Sequence, residues 1–241
     1  IDAVPYLWLA VSAFLLGLVG FTSQIPIFLL GPFAGVFADR WNRHRAIIFT
    51  QLFAMVQAFV LAALVLSGTI RIWRIIVLSL LLGVINAFDM PIRQSFMVEM
   101  VDEKQDLGNA IALNSSMVNS ARLLGPSAAG ILIVIAGEGV CFLLNALSYL
   151  AVILSLLVMN IIPKNTKPPG SRIWSEFLTG FRYAKGFAPI RYILLMLAVI
   201  SIMGMPYTVL MPIFARDILQ GGPDALGFLM GSSGIGALAG A

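Results

Sequence analysis

Long apolar stretches separated by short polar turns dominate this sequence. A helix of roughly 20 apolar residues spans the core of a bilayer. Stretches of about this length recur along the chain, at 13–38, 46–67, 72–90, 109–136, 139–162 and 190–214. A shorter apolar stretch, 2–11, precedes them, and another begins near Ala225. The pattern predicts an all-α, multi-pass membrane protein.

Both ends of the chain fall inside this apolar pattern. The chain starts at Ile1 rather than Met, and it stops within a Gly/Ala-rich run at 236–241. We therefore expect a fragment of a longer helix bundle. In that bundle, 2–11 would be the remnant of a first helix, and the segment from Ala225 would be the start of an eighth.

Composition supports a membrane class and excludes several others. Hydrophobic residues make up 60% of the chain, charged residues 11%, and the mean hydropathy is +0.98. Soluble domains are about one quarter charged, so these residues cannot cover a surface in water. Cys141 is the only cysteine, so the chain has no internal disulfide, and no His/Cys cluster has metal-ligand spacing. We expect the protein to bind no metal and no cofactor. We also expect that it is not an enzyme, since no Ser-His-Asp or Cys-His arrangement is present.

Basic residues divide unequally between the two ends of the predicted spans. One side receives Arg40, Arg43, Arg45, Arg93, Lys104, Lys164, Lys167, Arg172, Arg182, Lys185 and Arg191. The other side receives only Arg71, Arg74 and Arg216, and Arg122 stays inside a span. Cytoplasmic loops of membrane proteins carry an excess of Lys and Arg, so the richer side is expected to be cytoplasmic. The net charge of +4 then reflects topology and contact with anionic lipid, not nucleic acid.

The turn between 13–38 and 46–67 is short and strongly cationic, with the sequence GPFAGVFADRWNRHR over residues 31–45. It resembles the loop between the second and third helices of major facilitator superfamily (MFS) transporters, Gly-x-x-x-Asp-Arg-x-Gly-Arg-(Lys/Arg). The residues that match this pattern are Gly35, Asp39, Arg40 and Arg43. Asn42 replaces the second Gly, a mild departure because both residues tolerate positive φ, and His44 replaces the final base. The resemblance implies the MFS fold, with this chain covering part of helix 1 through the start of helix 8 of a 12-helix bundle.

Two later segments resemble one branch of the same superfamily. They are FDMPIRQ at 88–94 and ARLLGPSAAG at 121–130. They look like the drug–proton antiporter branch that includes the enterobactin exporter and macrolide-efflux-like proteins. This resemblance implies a monomer in a bacterial inner membrane that exports a small amphipathic molecule (drug, siderophore or metabolite) in exchange for protons. An importer or facilitative carrier of the same fold is an alternative, and so is a non-transporting receptor or assembly partner.

The chain is expected to divide at the polar, Pro-rich break Pro163–Gly170, where no helix can continue. Residues 1–162 would form an N-terminal six-helix half with a truncated first helix. Residues 163–189 would form a cytoplasmic linker, and 190–241 would start the C-terminal half. Apolar residues at helical spacing within 173–181 predict an amphipathic segment on the membrane face, or an ordinary linker helix packed on the bundle.

Small residues and a proline mark the middle of the span 109–136. Gly125-Pro126 predicts a kink, because proline removes a backbone hydrogen bond inside the helix. Gly125, Ala129 and Gly130 leave little side-chain bulk, so we expect a second helix to approach closely. The resemblance implies that Gly125, Pro126 and Gly130 shape the contact between the two halves. A packing kink without a transport role is the alternative.

Arg122 and Asp2 are the candidate transport and coupling residues. An arginine near mid-membrane is costly unless it is paired or faces water. Arg122 is expected to attract an anionic substrate group or to control the pKa of a nearby carboxylate. A purely structural arginine is the alternative. Asp2 falls where the first helix would be at mid-depth, so it is a candidate proton or cation site.

The gating residues implied by the resemblance are Gly35, Asp39, Arg40 and Arg43, together with Asp89 in the next span. We expect Asp89 to pair with Arg43 or Arg40 as a latch, with Glu99 as the competing partner of these arginines. His44 is expected to contact water or lipid phosphate.

Overall fold

The computed structural model describes residues 4–101, 104–159, 178–179, 182–183, 185–204 and 206–239, and within these ranges the chain is helical with no strand. The helices are α1 (Val4–Arg40), α2 (Arg43–Leu66), α3 (Ile72–Glu99), α4 (Leu107–Ala136), α5 (Glu138–Val158), α6 (Ala188–Gly204), α7 (Pro206–Ile213) and α8 (Pro223–Ala239). A 3₁₀ turn, Lys104–Asp106, precedes α4, and a π-helical turn, Phe214–Ile218, follows α7. The predicted all-α class is confirmed.

Six of these helical segments are long and apolar enough to cross a membrane. They are Val11–Gly35, Arg43–Leu66, Ile72–Glu99, Leu107–Ala136, Glu138–Val158 and Ala188–Ile218. Their outward faces carry large apolar side chains that water would not stabilise, such as Phe28, Phe53 and Ile135. The chain is therefore a multi-pass membrane protein.

The structure corrects two predicted helix boundaries. Residues 4–11 of the stretch predicted as a separate remnant lie in the same helix as the following predicted span, 13–38, from Val4 to Arg40. Ser12 between them is too weak a break, since a single serine costs a helix well under 1 kcal/mol. The span predicted to end at Met90 continues through Pro91 to Glu99, because membrane helices tolerate proline where neighbouring helices pack against it.

Two groups of helices can be distinguished by their packing. In the first group, α3 packs against both α1 and α2, and α2 packs along α5. A Cβ added at Gly83 of α3 would collide with the carbonyl oxygen of Ser23 in α1, so only glycine allows this approach. In the second group, α4 packs along α8. The closest interhelix contact of α4 is therefore with a helix beyond the predicted linker.

The end of the bundle that carries the turn Trp41–Arg45 is called the cationic end below. A buried apolar cluster lies directly beneath it, formed by Ala38, Ala46, Ile47, Ile92, Phe96 and Leu156. This cluster joins the ends of four helices, α1, α2, α3 and α5, and so fixes where the polar residues of the cationic end lie. The predicted linker 163–189 falls largely outside the described residues, and the predicted division into halves stays a prediction.

Candidate functional site

The cationic turn positions its side chains through a helix cap. Asn42 is the N-cap of α2, and its side-chain oxygen accepts a hydrogen bond from the backbone N–H of Arg45 at 3.0 Å. Its φ is −64°, so the positive φ suggested by the family's glycine is not used here. Asparagine is one of the most stabilising N-cap residues. The substitution therefore adds a cap and fixes the start of α2.

Arg43, in the first turn of α2, ties three helices together. Its guanidinium forms an ion pair with Glu99 at the end of α3. Its Nε also donates to the carbonyl oxygen of Ala38 in α1, at 3.2 Å. Both side chains of the pair are mostly buried, with exposed fractions of 22% for Arg43 and 10% for Glu99. Glu99, which the prediction gave as the competing partner of the arginines, therefore pairs with Arg43.

Asp89 is a buried carboxylate with every oxygen occupied by donors. Thr50 Oγ1 and Gln51 Nε2 both donate to its Oδ1 at 2.7 Å. Arg93, one turn further along α3, donates to Oδ2 from Nη2 at 2.7 Å and from Nε at 3.1 Å. Asp89 is only 6% exposed. Tyr149 of α5 lies close enough to interact electrostatically with both Asp89 and Arg93. We call Thr50, Gln51, Asp89 and Arg93 the Asp89 cluster.

The predicted latch between Asp89 and Arg43 is therefore wrong. Helices α2 and α3 run antiparallel, and Thr50 is level with Asp89 while Arg43 is level with Glu99. Arg43 lies about 10 Å from Thr50 along α2 at 1.5 Å per residue. That offset places Arg43 beyond reach of a carboxylate already held by Arg93. The side chains of Asp39 and Arg40 lie outside the described set, so a contact from Arg40 stays a prediction.

His44 contacts protein rather than the water or lipid phosphate expected from sequence. Its Nε2 lies 2.7 Å from the carbonyl oxygen of Leu156 near the end of α5. Its ring stacks on Phe96 of α3, with centroids 5.8 Å apart and planes 13° apart. The imidazole therefore adds a second contact to a carbonyl in the last turn of α5, which also accepts from the backbone N–H of Met159 at 3.3 Å. His44 joins α2, α3 and α5 at the cationic end.

Replacing Asp89 with Ala should destabilise the protein by about 1–3 kcal/mol, because it leaves the buried side-chain amide of Gln51 without its acceptor. The measurement is the thermal unfolding midpoint of the purified protein in detergent. Asp106→Ala is the matched control: Asp106 is exposed and its side chain makes no cap hydrogen bond at α4. Equal midpoints for the two variants would show that the Asp89 cluster contributes nothing to stability.

Helices α4 and α8 meet along a seam where glycines face backbone. A Cβ added at Gly130 would lie 2.6 Å from the carbonyl oxygen of Pro223. A Cβ added at Gly227 would lie 2.7 Å from the carbonyl oxygen of Pro126. Real Cβ atoms do not approach this closely, so both positions accept only glycine at the observed spacing. The close approach predicted at Gly130 is confirmed, with α8 as the partner helix.

The same seam continues along α8 at intervals of three to four residues, through Gly231 and Gly234. A Cβ at Gly231 would meet Ser127 Oγ at 2.6 Å, and one at Gly234 would meet Leu123 Cα at 2.7 Å. Ser127 Oγ also donates to the carbonyl oxygen of Gly227 at 3.1 Å. Small residues let membrane helices approach until backbones touch, and polar side chains then bond across the contact.

Gly125 does not take part in this seam. A Cβ added there would meet no atom of the described residues within 4 Å. The close approach predicted at Gly125 is therefore not found, because this residue lies on the opposite flank of α4 from Ser127 and Gly130. Pro126 lies inside α4 without ending the helix, and its carbonyl faces Gly227.

Comparison with known proteins identifies the bundle. The sequence profile of the family described as "Transmembrane secretion effector" matches residues 4–241, nearly the whole chain. The chain belongs to this family of MFS transporters.

Two relatives agree with the MFS assignment. The chain is 28% identical to the "Staphyloferrin A transporter" of Staphylococcus aureus over 229 residues, which cover 94% of this chain and 57% of the relative. It is 22% identical to the "Uncharacterized MFS-type transporter YfiS" of Bacillus subtilis over 150 residues, 62% of this chain and 34% of the relative. The chain thus spans little more than half the length of the first relative. No solved structure matches it significantly.

Arg122 lies at the midpoint of α4 and beside the seam. The helix has 30 residues, so Arg122 is about 22 Å from Leu107 at 1.5 Å per residue and about 21 Å from Ala136. Its side chain is exposed, and no described residue forms an ion pair or hydrogen bond with it. The predicted partner Asp2 lies outside the described residues. The flank of the α4–α8 seam therefore carries a cation at the middle of α4.

Several residues of the site were missed from sequence. Gly227, Gly231 and Gly234 were visible as a Gly-rich run, and their helical spacing was the available signal for a close helix contact. Thr50 and Gln51 gave a weaker signal, as adjacent polar residues inside an apolar span. Among the described residues, no group of three or more His, Cys, Asp or Glu side chains lies together in a way that could hold a metal.

Proposed function

We propose that this chain is part of a proton-coupled exporter of a small amphipathic molecule, in the plasma (inner) membrane of a bacterium, that works by alternating access. The observation that carries the proposal is the α4–α8 seam. It joins helices from either side of the predicted linker, with glycines of one helix against the backbone of the other. A smooth contact of this kind allows two rigid halves to rock against each other, as transporters with parallel repeats do.

The cationic end supports this proposal because its contacts tie α1, α2, α3 and α5 of the predicted first half together. The Asp89 cluster joins α2 to α3, Arg43 and Glu99 join α2 to α3 nearer the end, and His44 joins α2 to α5. All of these contacts lie within residues 1–162, so none of them ties the predicted second half to the first. We propose that Asp39 and Arg40, in the last turn of α1, supply the gate contacts to the second half on the cytoplasmic side.

A cavity of about 420 Å³ opens at the opposite end of the molecule. Glu138, at the start of α5, and Arg216, in the π-helical turn, both line it. Charges of opposite sign thus face one space from the two predicted halves. A π-helical turn often marks a functional segment of a helix. We propose that this cavity is part of the exit path on the non-cytoplasmic side.

Export and the substrate class rest on the comparisons and on Arg122. The family description names secretion, and the Staphylococcus relative is named for transport of a small molecule. Arg122 at mid-depth favours a substrate that carries an anionic group, since an arginine inside a membrane span is costly unless a partner or water satisfies it. We propose a monomeric transporter whose partners are the substrate, protons and membrane lipid.

The test of this proposal is transport by the full-length protein in inverted membrane vesicles with an acidic lumen. Staphyloferrin A and the amphipathic cation ethidium serve as probes. Export coupled to protons predicts accumulation of staphyloferrin A in the lumen, with alkalinisation of the lumen that depends on the probe. Accumulation only in right-side-out vesicles would show an importer. If neither probe is transported and neither causes proton movement, the proposal of a proton-coupled exporter is contradicted.

A further inference from the structure

A groove at the cationic end borders the Asp89 cluster. It runs between α2 and α3, has a volume of about 720 Å³, and its mouth is formed by Trp41, Asn42 and Arg45. Aromatic side chains line it, among them Phe49 and Phe53. Phe49 and Phe53 are each 60% exposed. The groove is concave, apolar and open to the side of the bundle.

The length of the groove matches one leaflet of a bilayer. Along α2 it extends from Arg45 to Phe53, about 12 Å at 1.5 Å per residue. Along α3 it extends from Ile92 to Leu81, about 16 Å on the same basis. The hydrocarbon core of one leaflet is about 15 Å thick, half of the core of a typical bilayer. An acyl chain with its headgroup at the mouth therefore fits the groove lengthwise.

The mouth of the groove has the chemistry of a phospholipid headgroup site. The Arg45 side chain is exposed and forms no ion pair with a described residue. Its guanidinium is free to bind a phosphate with two hydrogen bonds. Trp41 beside it is 53% exposed, and tryptophan is enriched at the level of lipid headgroups. A cation at one end of an apolar channel is complementary to an anionic lipid, and basic pockets between membrane helices bind such headgroups.

We propose that this groove binds one anionic phospholipid, with an acyl chain along Phe49 and Phe53 and its phosphate on Arg45. The assignment to the cytoplasmic leaflet rests on the proposed orientation, whereas the site itself does not. Thr50 lines the groove and donates to Asp89. A lipid in the groove therefore lies one side chain from the buried carboxylate and helps to exclude water from it.

The test uses Trp41 as a reporter for lipid in the groove. A variant of the full-length protein that retains Trp41 as its only tryptophan is placed in phosphatidylcholine nanodiscs. Brominated phosphatidylglycerol or brominated phosphatidylcholine is then added at equal fractions, because bromine on an acyl chain quenches a tryptophan that it touches. Brominated phosphatidylglycerol should quench Trp41 at a lower fraction than brominated phosphatidylcholine. Arg45→Gln should remove most of this difference, roughly fivefold in apparent affinity, the contribution of one basic residue near an anionic headgroup.

Trp73 supplies a matched control within the same chain. It is 57% exposed, and the guanidinium of Arg74 lies 5.4 Å from its ring centroid, but it does not line the groove. A variant that retains only Trp73 should show no such preference for phosphatidylglycerol. Equal preference at Trp41 and Trp73 would reduce the effect to general attraction of anionic lipid to arginine and would overturn the proposal. Absence of quenching at Trp41 by either lipid would overturn it as well, because it would show that another part of the protein covers the groove.

Discussion

Replacing Gly130 with Leu should reduce transport by roughly tenfold or more, because overpacking a tight contact costs about 1–3 kcal/mol. The new side chain would collide with the backbone of Pro223, which cannot rotate away as a flexible side chain can. Either α8 moves away from α4 at this end, or the two halves become trapped in one arrangement. Both outcomes impair alternating access. The measurement is proton-driven efflux of the transported probe, normalised to the amount of folded protein.

Gly125→Leu is the matched control for this experiment. It adds the same side chain to the same helix, five residues earlier, at a position that faces open space among the described residues. Its transport should remain close to that of the parent protein. Equal transport by the Gly130→Leu and Gly125→Leu proteins would show that the α4–α8 seam has no part in the transport cycle. Gly227→Leu, at the facing position on α8, should reproduce the loss seen at Gly130.

The α4–α8 seam could be predicted only in part from the sequence. Glycine and alanine at helical spacing in 109–136 predicted a close contact on α4, and Gly130 makes one. The sequence did not say which flank of α4 the partner takes, because small residues lie on both. Gly125 was therefore included although it lies on the other flank. The partner helix became visible only when Gly227, Gly231 and Gly234 were placed opposite α4.

The cationic end shows a different limit of sequence reasoning. The turn, its arginines and the buried acid Asp89 were all recognisable from residue type and position. The pairing was not, because it depends on how far α2 is shifted along α3, and a shift of one turn moves every contact by about 5.4 Å. Arg43 therefore pairs with Glu99, and Asp89 takes its donors from Thr50, Gln51 and Arg93.

Helix lengths were predicted well where strong breakers flank the span and poorly where they do not. Both ends of α4 fall within two residues of prediction, since polar residues precede Leu107 and Gly137 follows Ala136 with a φ of 82°. The end of α3 was placed nine residues too early, at Met90, just before Pro91. The pair Asp89–Arg93 bonds across this proline, one turn apart. That bond, together with packing against α1 and α2, holds the helix through the site of the missing hydrogen bond.

Replacing Arg122 with Ala should abolish proton-coupled efflux. An arginine at the centre of a membrane span costs about 2.5–3.5 kcal/mol of insertion free energy. An apolar residue at this position would avoid that cost. In the proposed cycle, the position of Arg122 beside the seam places it where the two halves separate and rejoin. We therefore expect it to face the water-filled path and to hold an anionic partner, either a substrate group or a carboxylate.

Arg122→Lys separates charge from geometry at this site. Lysine keeps the positive charge but lacks the planar fork of donors that binds a carboxylate with two hydrogen bonds. Partial efflux by this variant would indicate that charge matters, and loss of efflux would indicate that the two-bond geometry matters. Arg71→Ala is the matched control, because Arg71 is an exposed arginine at the N-cap of α3, outside the span. It should transport normally. The decisive quantity is proton-driven efflux from vesicles per folded protein, and a parental rate for Arg122→Ala would limit Arg122 to a structural role.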